Sequence, residues 1–363
     1  MKINIASTHR FHLLDLAREL SKQGHDVAFY SYVPKKRCMA FGLPEHCCHS
    51  FTWMIIPFLV LNKLFPKSHI IKRFWNLFMD YYVAQTMRSC DVYIALGSVY
   101  LKSLEAAKKN FGAKVIIEWG SKHVVEQLKM FGKYETYPKY FLNRELTQYN
   151  IADYISISTD HVRESFVKHG IEETKLFVNP YGVSLAQFYP TTLSGDYDLI
   201  YVGGWRYEKG SNYLVDVCRK YGYRLIHVGS LVNLKFPEDD LFTHVDAVDQ
   251  KELVNYYAKA KAFVIPSLSE GLAMVQAQAI ACGLPVVCSK NTGGRDLKKY
   301  VKNPEYIIEM SDYSIEALHN SIEMALSLAS KQNGVRNYAG DISSNLSWEA
   351  YGKRYSKFLD SIK

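Results

Sequence analysis

The chain alternates short apolar runs with stretches of helical periodicity, and this alternation occurs in both halves. Strands are predicted at residues 2–6, 26–30, 92–95 and 114–118 in the first half, and at residues 199–202, 224–228, 262–265 and 285–288 in the second. Helical patterns lie between the strands, as at residues 13–23 and 211–221. Repeated strand and helix units favour parallel sheets with helices on both faces. The sequence therefore predicts an α/β protein with two Rossmann-like domains, joined near residues 189–197.

The length and composition agree with two folded domains. A chain of 363 residues is too long for one compact core, and its hydrophobic content of 48% argues against disorder. The seven cysteines form no C-x-x-C pair, which favours a reduced compartment. The chain opens on a strand without a charged and then apolar leader, so no secretory signal is expected. Together these features predict a cytoplasmic location.

Positive charge is concentrated in the first half of the chain. The net charge is +8, and the whole excess lies within residues 1–183. Eight basic residues between positions 34 and 88 face only two acidic ones and surround the apolar run 51–61. As a helix this run would be about 16 Å long, well short of a hydrocarbon core of about 30 Å, and Pro57 interrupts it. The run is therefore too short to span a membrane.

Three interpretations of this basic and apolar region are open. It could be an ordinary buried segment with solvated lysines beside it. It could instead be a surface that enters an anionic bilayer, with nonpolar contacts from Trp53, Phe58, Phe65 and Trp75, and headgroup contacts from Lys63, Lys67, Lys72 and Arg73. Nucleic acid is the third interpretation. No recognition motif accompanies the charge, so no nucleic-acid partner is expected.

The most informative segment is residues 266–287, which reads as a loop, a helix and a strand after an apolar run. The loop occupies residues 266–271, a helix is predicted over 272–282, and Gly283 is placed to end it. Free amides at a helix start, next to a glycine, form an anion site suited to phosphate. Glu270 cannot attract phosphate by charge, so we expect it to accept hydrogen bonds from hydroxyls. Phosphate together with hydroxyls indicates a sugar phosphate or a nucleotide sugar.

A second loop precedes the predicted helix 211–221. It reads G-G-W-R-Y-E-K-G over residues 203–210 and follows the apolar strand 199–202. A glycine pair with a lysine is a weak signal by itself, and an ordinary surface turn is the alternative. This loop lies upstream of the first segment, and the two motifs at this separation are more informative together than either motif alone.

Residues 266–287 resemble the C-terminal signature of the retaining family-4 glycosyltransferases, P-S-x-x-E-G-(F/L)-x-(L/M)-x-x-x-E-A-x-A-x-G-x-P-V-V. The matching positions are Pro266, Ser267, Glu270, Gly271, Ala279, Ala281, Gly283, Pro285, Val286 and Val287. The second glutamate of the pattern is Gln278 here. The loop 203–210 resembles the family's V-G-R-x-x-x-E-K-G, with Lys209 in register. The arginine position of that motif is Gly204, and the nearest arginine is Arg206. Residues 144–164 and 176–184 follow the family pattern as well.

The resemblance implies a GT-B fold, with two Rossmann-like domains whose parallel sheets face each other across a cleft. Residues 1–188 would bind the acceptor, with helix 347–363 crossing back onto them, and residues 196–346 would bind the donor. The implied reaction is hexosyl transfer with retention, from a UDP-, GDP- or ADP-sugar to a glycan or lipid-linked acceptor. Neither a metal nor a cofactor is implied. Surface polysaccharide or glycoconjugate biosynthesis at the inner face of the membrane is the expected setting.

The resemblance also assigns roles to individual residues. The catalytic candidates are Lys209, Glu270, Glu118 and His123; for the last two, which lie where relatives carry a donor-contacting histidine, a structural role is the alternative. The expected donor-binding positions are Gly203, Gly204, Arg206, Lys209, Glu270, Gly271, Leu272, Ala273 and Gln278. Lys209 and the amides after Glu270 would stabilise the leaving diphosphate, and Gln278 would reach the ribose. No metal site is predicted, since neither His9 and His12 nor Cys47 to His49 have partners at ligand spacing.

Two other classes of protein are kept as alternatives. A non-catalytic nucleotide-sugar-binding subunit is indicated by the glycine at position 204 and by Gln278. A GT-B sugar-nucleotide epimerase would need carboxylates and histidines from both domains, which the pattern of Lys209 and Glu270 does not favour. The absence of G-x-G-x-x-G counts against a dinucleotide oxidoreductase.

Overall fold

The computed structural model describes residues 1–65, 69–192, 194–334, 336 and 345–363, without the side chains of residues 62, 69, 70, 72 and 73. The chain divides into two compact units. The first unit contains Met1–Ile157, Arg163–Asn179 and Tyr351–Lys363. The second unit contains Ser158–Val162 and Pro180–Ala350.

The first unit is built on a seven-stranded sheet whose paired neighbours are parallel. Its strands are β1 (Lys2–Ser7), β2 (Asp26–Ser31), β3 (Cys48–Ser50), β4 (Val92–Leu96), β5 (Lys114–Trp119), β6 (Tyr154–Ile157) and β7 (Leu176–Val178). Its helices are α1 (Phe11–Lys22), α2 (Lys35–Ala40), α3 (Thr52–Leu64), α4 (His69–Thr86), α5 (Lys102–Phe111), α6 (Val124–Met130), α7 (Lys139–Ile151) and α8 (Asp160–Lys168), of which the residues up to Val162 belong to the second unit. In the order β3-β2-β1-β4-β5-β6-β7, the strand numbers fall as far as β1 and rise from β4 onward, so the chain changes the side on which it adds strands between β1 and β4. In such sheets, ligands bind beyond the carboxyl ends of the strands at this point.

The second unit is built on a six-stranded parallel sheet of order β10-β9-β8-β11-β12-β13. Its strands are β8 (Tyr197–Val202), β9 (Leu225–Val228), β10 (Phe242–Val245), β11 (Ala260–Ile265), β12 (Val286–Cys288) and β13 (Ile307–Glu309). Its helices are α9 (Ser211–Tyr221), α10 (Leu253–Tyr257), α11 (Met274–Ala281), α12 (Gly294–Leu297) and α13 (Ile315–Ser330). The last helix, α14 (Trp348–Ser361), starts in this unit, and its residues from Tyr351 onward belong to the first.

The predicted α/β class with two parallel sheets is confirmed. All eight predicted strands are present, because continuous apolar runs become strands that are buried on both faces. The predicted start of one helix is wrong by two residues, since α11 begins at Met274 rather than at position 272. Ala273 has extended backbone angles and donates its amide to the Thr292 carbonyl oxygen at 3.3 Å, which keeps it out of the helix.

The apolar run 51–61 forms most of α3, with Pro57 inside the helix. Much of it is exposed, so α3 is not an ordinary buried segment. The exposed apolar side chains of α3, α4 and the turn after α3 are Trp53, Ile56, Leu59, Val60, Leu61, Leu64, Phe65, Phe74, Phe78 and Tyr81. We call these side chains the apolar surface. Among the described residues, no helix combines the length and apolarity needed to cross a bilayer.

The predicted apolar contacts with a bilayer differ in how far their side chains are exposed. Trp53 and Phe65 are exposed, while Phe58 lies against Trp75 with ring centroids 6.2 Å apart. Of the four predicted headgroup contacts, Lys63 is exposed. Lys67 and the side chains of Lys72 and Arg73 lie outside the described residues.

Candidate functional site

The two sequence motifs meet at the carboxyl edge of the second sheet. Strands β8 and β11 are adjacent and parallel, so the loops that follow them leave the sheet at the same edge. The amide of Leu268 donates to the carbonyl oxygen of Glu208 at 3.0 Å, and Oγ of Ser267 lies 3.2 Å from the same oxygen. The loop 203–210 and the loop 266–273 therefore form one site.

Gly210 allows the two loops to approach this closely. Its φ is 72°, and a β-carbon at this position would lie 2.1 Å from the carbonyl oxygen of Pro266. Both the backbone conformation and the contact exclude any other residue without a shift of the loop. The glycine after Lys209 is thus required for the lysine to reach the second loop.

Lys209 and Glu270 form an ion pair at the centre of the site. The ammonium group of Lys209 contacts Oε1 of Glu270, and the Ser267 hydroxyl donates to the same carboxylate oxygen at 2.9 Å. Both side chains are partly buried, with 28% and 16% of their surface exposed. The structure thus brings together the cation and the carboxylate that the sequence predicted as catalytic groups.

Arg206 lies beside the position from which the motif arginine is missing. A β-carbon at Gly204 would lie 3.0 Å from Nη2 and 3.2 Å from Nε of Arg206. Nε is buried and has no hydrogen-bond partner among the described residues. The guanidinium group therefore occupies the space where a side chain at position 204 would begin.

Not all of the backbone amides predicted to bind the donor are free to donate a hydrogen bond to a ligand. The amide of Ala273 donates to Thr292, so it is already used within the protein. The carbonyl oxygen of Gly271 accepts a hydrogen bond from the Thr159 hydroxyl at 3.2 Å. The predicted anion site therefore loses the amide of Ala273.

His161 supports the backbone of Glu270, a contact that the sequence analysis missed. Its Nε2 lies 2.9 Å from the carbonyl oxygen of Glu270, and its Nδ1 lies 3.6 Å from a carboxylate oxygen of Asp296. The other carboxylate oxygen accepts a bond from the Asp160 amide at 3.1 Å. Burial raises the pKa of Asp296, but these contacts outweigh burial and lower the pKa overall. No local signal links these residues, which are far apart in the sequence.

Gln278 is buried, with 6% of its surface exposed. Its Oε1 accepts a hydrogen bond from the hydroxyl of Tyr257 at 3.2 Å. Gln276 is also buried and donates to the carbonyl oxygen of Thr292 at 2.7 Å. Gln276 and Gln278 are therefore both buried and each hydrogen-bonded within the second unit.

In the first unit, Glu118 forms a buried pair with His12. Nε2 of His12 lies 2.8 Å from Oε2 of Glu118, and the carboxylate side chain is 1% exposed. The other oxygen, Oε1, is buried without a hydrogen-bond partner among the described residues. The sequence analysis considered His12 only as a metal ligand, so it missed this pair.

His123 is buried at the start of α6. Its Nδ1 accepts a hydrogen bond from the amide of Val125 at 3.3 Å, and its ring stacks on His169 with centroids 4.5 Å apart. Burial and, secondly, the nearby His169 lower the pKa of His123 to about 4. At neutral pH its contacts are those of an uncharged helix cap.

Pairs of acidic and histidine side chains occur in both units. In the described part of the chain, no three histidine, cysteine, aspartate or glutamate side chains come together as metal ligands. The pair of His12 with Glu118 and the pair of His161 with Asp296 each supply two such groups.

A comparison with known protein families gives a match within the second unit. Residues 190–341 match the family described as glycosyl transferases group 1. The capsular polysaccharide biosynthesis glycosyltransferase CapM of Staphylococcus aureus is 26% identical over 257 residues, which cover 61% of this chain and 66% of that protein. The aligned part of the chain thus spans slightly less than two thirds of the length of this relative.

Solved structures resemble the chain over its whole length. Sucrose-phosphate synthase from Thermosynechococcus elongatus has a TM-score of 0.69 at 18% identity, covering 100% of this chain and 99% of that one. Anabaena HepE in complex with UDP-glucose has a TM-score of 0.67 at 14% identity, covering 99% and 100%. At these identities the likeness shows the fold. The chain has the GT-B fold, and its residues 190–341 match the family described as glycosyl transferases group 1.

Proposed function

We propose that this protein is a retaining glycosyltransferase that transfers a hexosyl group from a nucleoside diphosphate sugar without a bound metal. One observation carries the proposal: the contact of Lys209, Glu270 and Ser267 where the two family loops meet. A cation and a hydroxyl-binding carboxylate at a single point suit a substrate that joins a phosphate to a sugar. Residues 196–346 would bind this donor, and residues 1–188 would bind the acceptor.

In this proposal Lys209 acts on the leaving group. Cleavage of the bond to the anomeric carbon leaves negative charge on the diphosphate, and fixed cations stabilise that charge most strongly in a partly buried site. Lys209 would exchange Glu270 for a phosphate oxygen when the donor binds. Nε of Arg206, which has no partner among the described residues, would supply a second donor. The amides of Gly271 and Leu272 would add further hydrogen bonds.

Glu270 would then be free to accept hydrogen bonds from the hydroxyls of the donor sugar. The Ser267 side chain holds one carboxylate oxygen, and His161 holds the backbone carbonyl of the same residue. The carboxylate therefore keeps its position after Lys209 has changed partners. Attack of the acceptor hydroxyl from the face of the leaving group would give retention.

The acceptor is proposed to be a glycan or a lipid-linked sugar in polysaccharide or glycoconjugate biosynthesis. The apolar surface supports this proposal, because exposed side chains such as Trp53 and Leu64 can enter a bilayer while Lys63 meets anionic headgroups. CapM, which is named for capsular polysaccharide biosynthesis, belongs to the same setting. The protein would act in the cytoplasm, at the inner face of the membrane.

The first experiment is binding of UDP, GDP and ADP to the purified chain by calorimetry, with UDP expected to bind most tightly because HepE was solved with UDP-glucose. A ligand at 100 times its dissociation constant adds about 2.7 kcal/mol of stability, so a thermal-shift screen gives an independent readout. Lys209→Ala should weaken binding, whereas Lys235→Ala, at an exposed ion pair of the same unit, should not.

Donor hydrolysis by the same preparation then separates an enzyme from a binding protein. Slow release of UDP from the matching UDP-sugar would support the glycosyltransferase. Tight nucleotide binding without hydrolysis or transfer to any acceptor would favour the non-catalytic subunit instead. Absence of binding to all three nucleotides would overturn the proposed function.

A further inference from the structure

The first unit contains a cavity of about 300 Å³ at the carboxyl ends of β4 and β5. Its walls come from residues 96–98, residues 118–121, helix α6 and helix α7. The polar side chains that line it are Ser98, Glu118, Ser121, Gln127, Tyr137 and Glu145. Its size lies at the lower end of the range found for small-molecule sites, about 300–1,000 Å³.

Glu118 lines this cavity and carries an unsatisfied acceptor. Its Oε2 is paired with His12, but its Oε1 is buried and has no hydrogen-bond partner among the described residues. A buried carboxylate oxygen without a donor is costly, and such groups are rare in folded proteins. A ligand that donates a hydrogen bond would satisfy it.

Glu145 is the second carboxylate of the cavity. It is 8% exposed and accepts a hydrogen bond from the Tyr137 hydroxyl at 3.2 Å. Burial raises the pKa of Glu145 to about 7. Among the described residues that line the cavity, none carries a positive charge. Phosphate and carboxylate groups would therefore enter an acidic, desolvated space without a compensating cation.

The remaining lining is apolar or aromatic. Trp119 is 7% exposed, and its indole nitrogen donates to the carbonyl oxygen of Lys122 at 3.1 Å, which fixes the ring. Leu96, Val124 and Leu128 complete the apolar part of the wall. An aromatic and aliphatic wall facing several hydrogen-bond acceptors suits a compact ring that has apolar faces and hydroxyl edges.

We propose that this cavity binds an uncharged, hydroxyl-rich sugar ring of the acceptor, with Glu118 and Glu145 accepting hydrogen bonds from its hydroxyls, and that it excludes acidic sugars and phosphate groups. This inference rests on the proposed function, since it assigns the acceptor side of that reaction. It also limits the acceptor class, because the group that enters the cavity is a neutral sugar.

The test uses the full chain and a panel of simple sugars. The neutral probes are the methyl α- and β-glycosides of glucose, galactose, mannose and N-acetylglucosamine, and the charged probes are methyl glucuronide and methyl glucosaminide. Binding is measured by saturation-transfer NMR and by calorimetry at pH 8. We expect at least one neutral glycoside to bind at least tenfold more tightly than methyl glucuronide.

Two variants connect binding to the cavity. Glu118→Gln and Glu145→Gln each keep the side-chain shape and should weaken the neutral glycoside at least fivefold. Glu105→Gln, at an exposed ion pair on α5, is the matched control and should leave binding unchanged. UDP affinity should stay the same in Glu145→Gln and Glu105→Gln, which shows that the fold of these two variants is intact.

The pH dependence gives a readout that a purely structural role would not produce. Glycoside binding should strengthen between pH 6 and pH 8 as Glu145 ionises, because a charged acceptor makes the stronger hydrogen bond. The facing tyrosines, Tyr137 and Tyr149, do not titrate in this range, since burial raises the pKa of both well above it. The remaining titratable groups nearby are Glu118 and its partner His12. Glu145→Gln should therefore remove the part of the pH dependence that belongs to Glu145.

Several outcomes would overturn the inference. These are equal binding of the glucuronide, preference for the positively charged glucosaminide, failure of the whole panel to bind, and unchanged affinity in both cavity variants. Failure of the proposed function looks different. In that case the nucleotides would not bind, or would not turn over, while the neutral glycoside still bound to the cavity.

Discussion

The guanidinium group of Arg206 lies so close to the α-carbon of Gly204 that a β-carbon there would be 3.0 Å from Nη2. The motif that loop 203–210 resembles has its arginine at position 204, and here the guanidinium group of Arg206 lies beside that position. The two positions are therefore coupled. An arginine at 206 can fold back in this way because residue 204 has no side chain.

The first prediction concerns this coupling. Arg206→Ala should weaken UDP binding about tenfold or more, since a charge-assisted hydrogen bond contributes roughly 1.5–3 kcal/mol. Gly204→Ala should also weaken it, though less, because the added methyl group displaces the guanidinium. Calorimetry gives both values. Arg219→Ala, an exposed arginine on α9, is the control. Full UDP affinity in Arg206→Ala would show that the cation does not contact the diphosphate.

The second prediction is that Lys209→Ala abolishes transfer while the fold remains intact. The variant loses the cation that faces the leaving group and also leaves Glu270 without its ion-pair partner. We expect kcat/KM to fall by about 10²–10³-fold, the range seen when one group that stabilises a transition state is removed. Lys220→Ala, at an exposed ion pair on α9, should behave like the wild type. Near wild-type turnover in Lys209→Ala would remove this loop from the active site.

The sequence predicts the fold well where strands are long and central. Strands β1, β4 and β8 are rich in buried apolar residues because both faces of a parallel sheet are covered. The sequence does not predict β3, β6, β7, β10 and β13, which are three or four residues long and too short to show a clear periodicity. It predicted the early start of α11 from helix-forming residues, whereas a tertiary hydrogen bond to Ala273 delays that start. The helix propensity of the local sequence does not depend on a hydrogen bond to a distant residue, so it could not predict this start.

The residues of the site also fall into those that the sequence predicts and those that only the folded structure shows. Lys209 and Glu270 could be predicted because each lies in a motif with a fixed local shape. The pairs of His12 with Glu118 and of His161 with Glu270 join residues more than one hundred positions apart. Only the folded chain brings these partners together. The position of the Arg206 side chain likewise follows from the loop conformation and from the missing side chain at position 204.

The third prediction addresses the ribose. If Gln278 contacts the nucleotide, Gln278→Glu should bind UDP several-fold more tightly, because a carboxylate accepts both ribose hydroxyls with charge-assisted bonds. The hydroxyl of Tyr257 can still donate to the new carboxylate, so the fold should be kept. Gln278→Ala should bind UDP more weakly. Unchanged affinity in both variants would show that Gln278 serves only as the partner of Tyr257.

The fourth prediction is that the protein sediments with anionic vesicles and not with neutral ones. Replacing Trp53, Leu64 and Phe65 by serine should release it, because these side chains provide exposed apolar area. Salt should weaken the association, since screening acts over about 10 Å at 0.1 M ionic strength. Met324→Ser, an exposed apolar residue of the second unit, is the control. Equal binding to both vesicle types would instead indicate a protein partner for the apolar surface.

The last prediction concerns His161 as a positioning residue for Glu270. Its Nε2 donates to the backbone carbonyl of Glu270, and Asp296 faces the other ring nitrogen. His161→Ala removes the donor and leaves a buried carbonyl oxygen unpaired, whereas His161→Gln can place an amide N–H near the same point. We therefore expect kcat to fall about tenfold in His161→Ala and to be largely restored in His161→Gln, at a cost near 1.4 kcal/mol for the lost bond.

Nucleotide affinity distinguishes this role from a general loss of stability. Glu270 is proposed to contact the sugar and not the nucleotide, so UDP should bind equally well to the wild type and to both His161 variants. Turnover of the UDP-sugar should separate the variants, with the alanine variant slow and the glutamine variant close to the wild type. A parallel loss of UDP affinity would mean that His161 holds the whole donor loop. Equal turnover losses in both variants would show that the imidazole itself, rather than its hydrogen bond, is required.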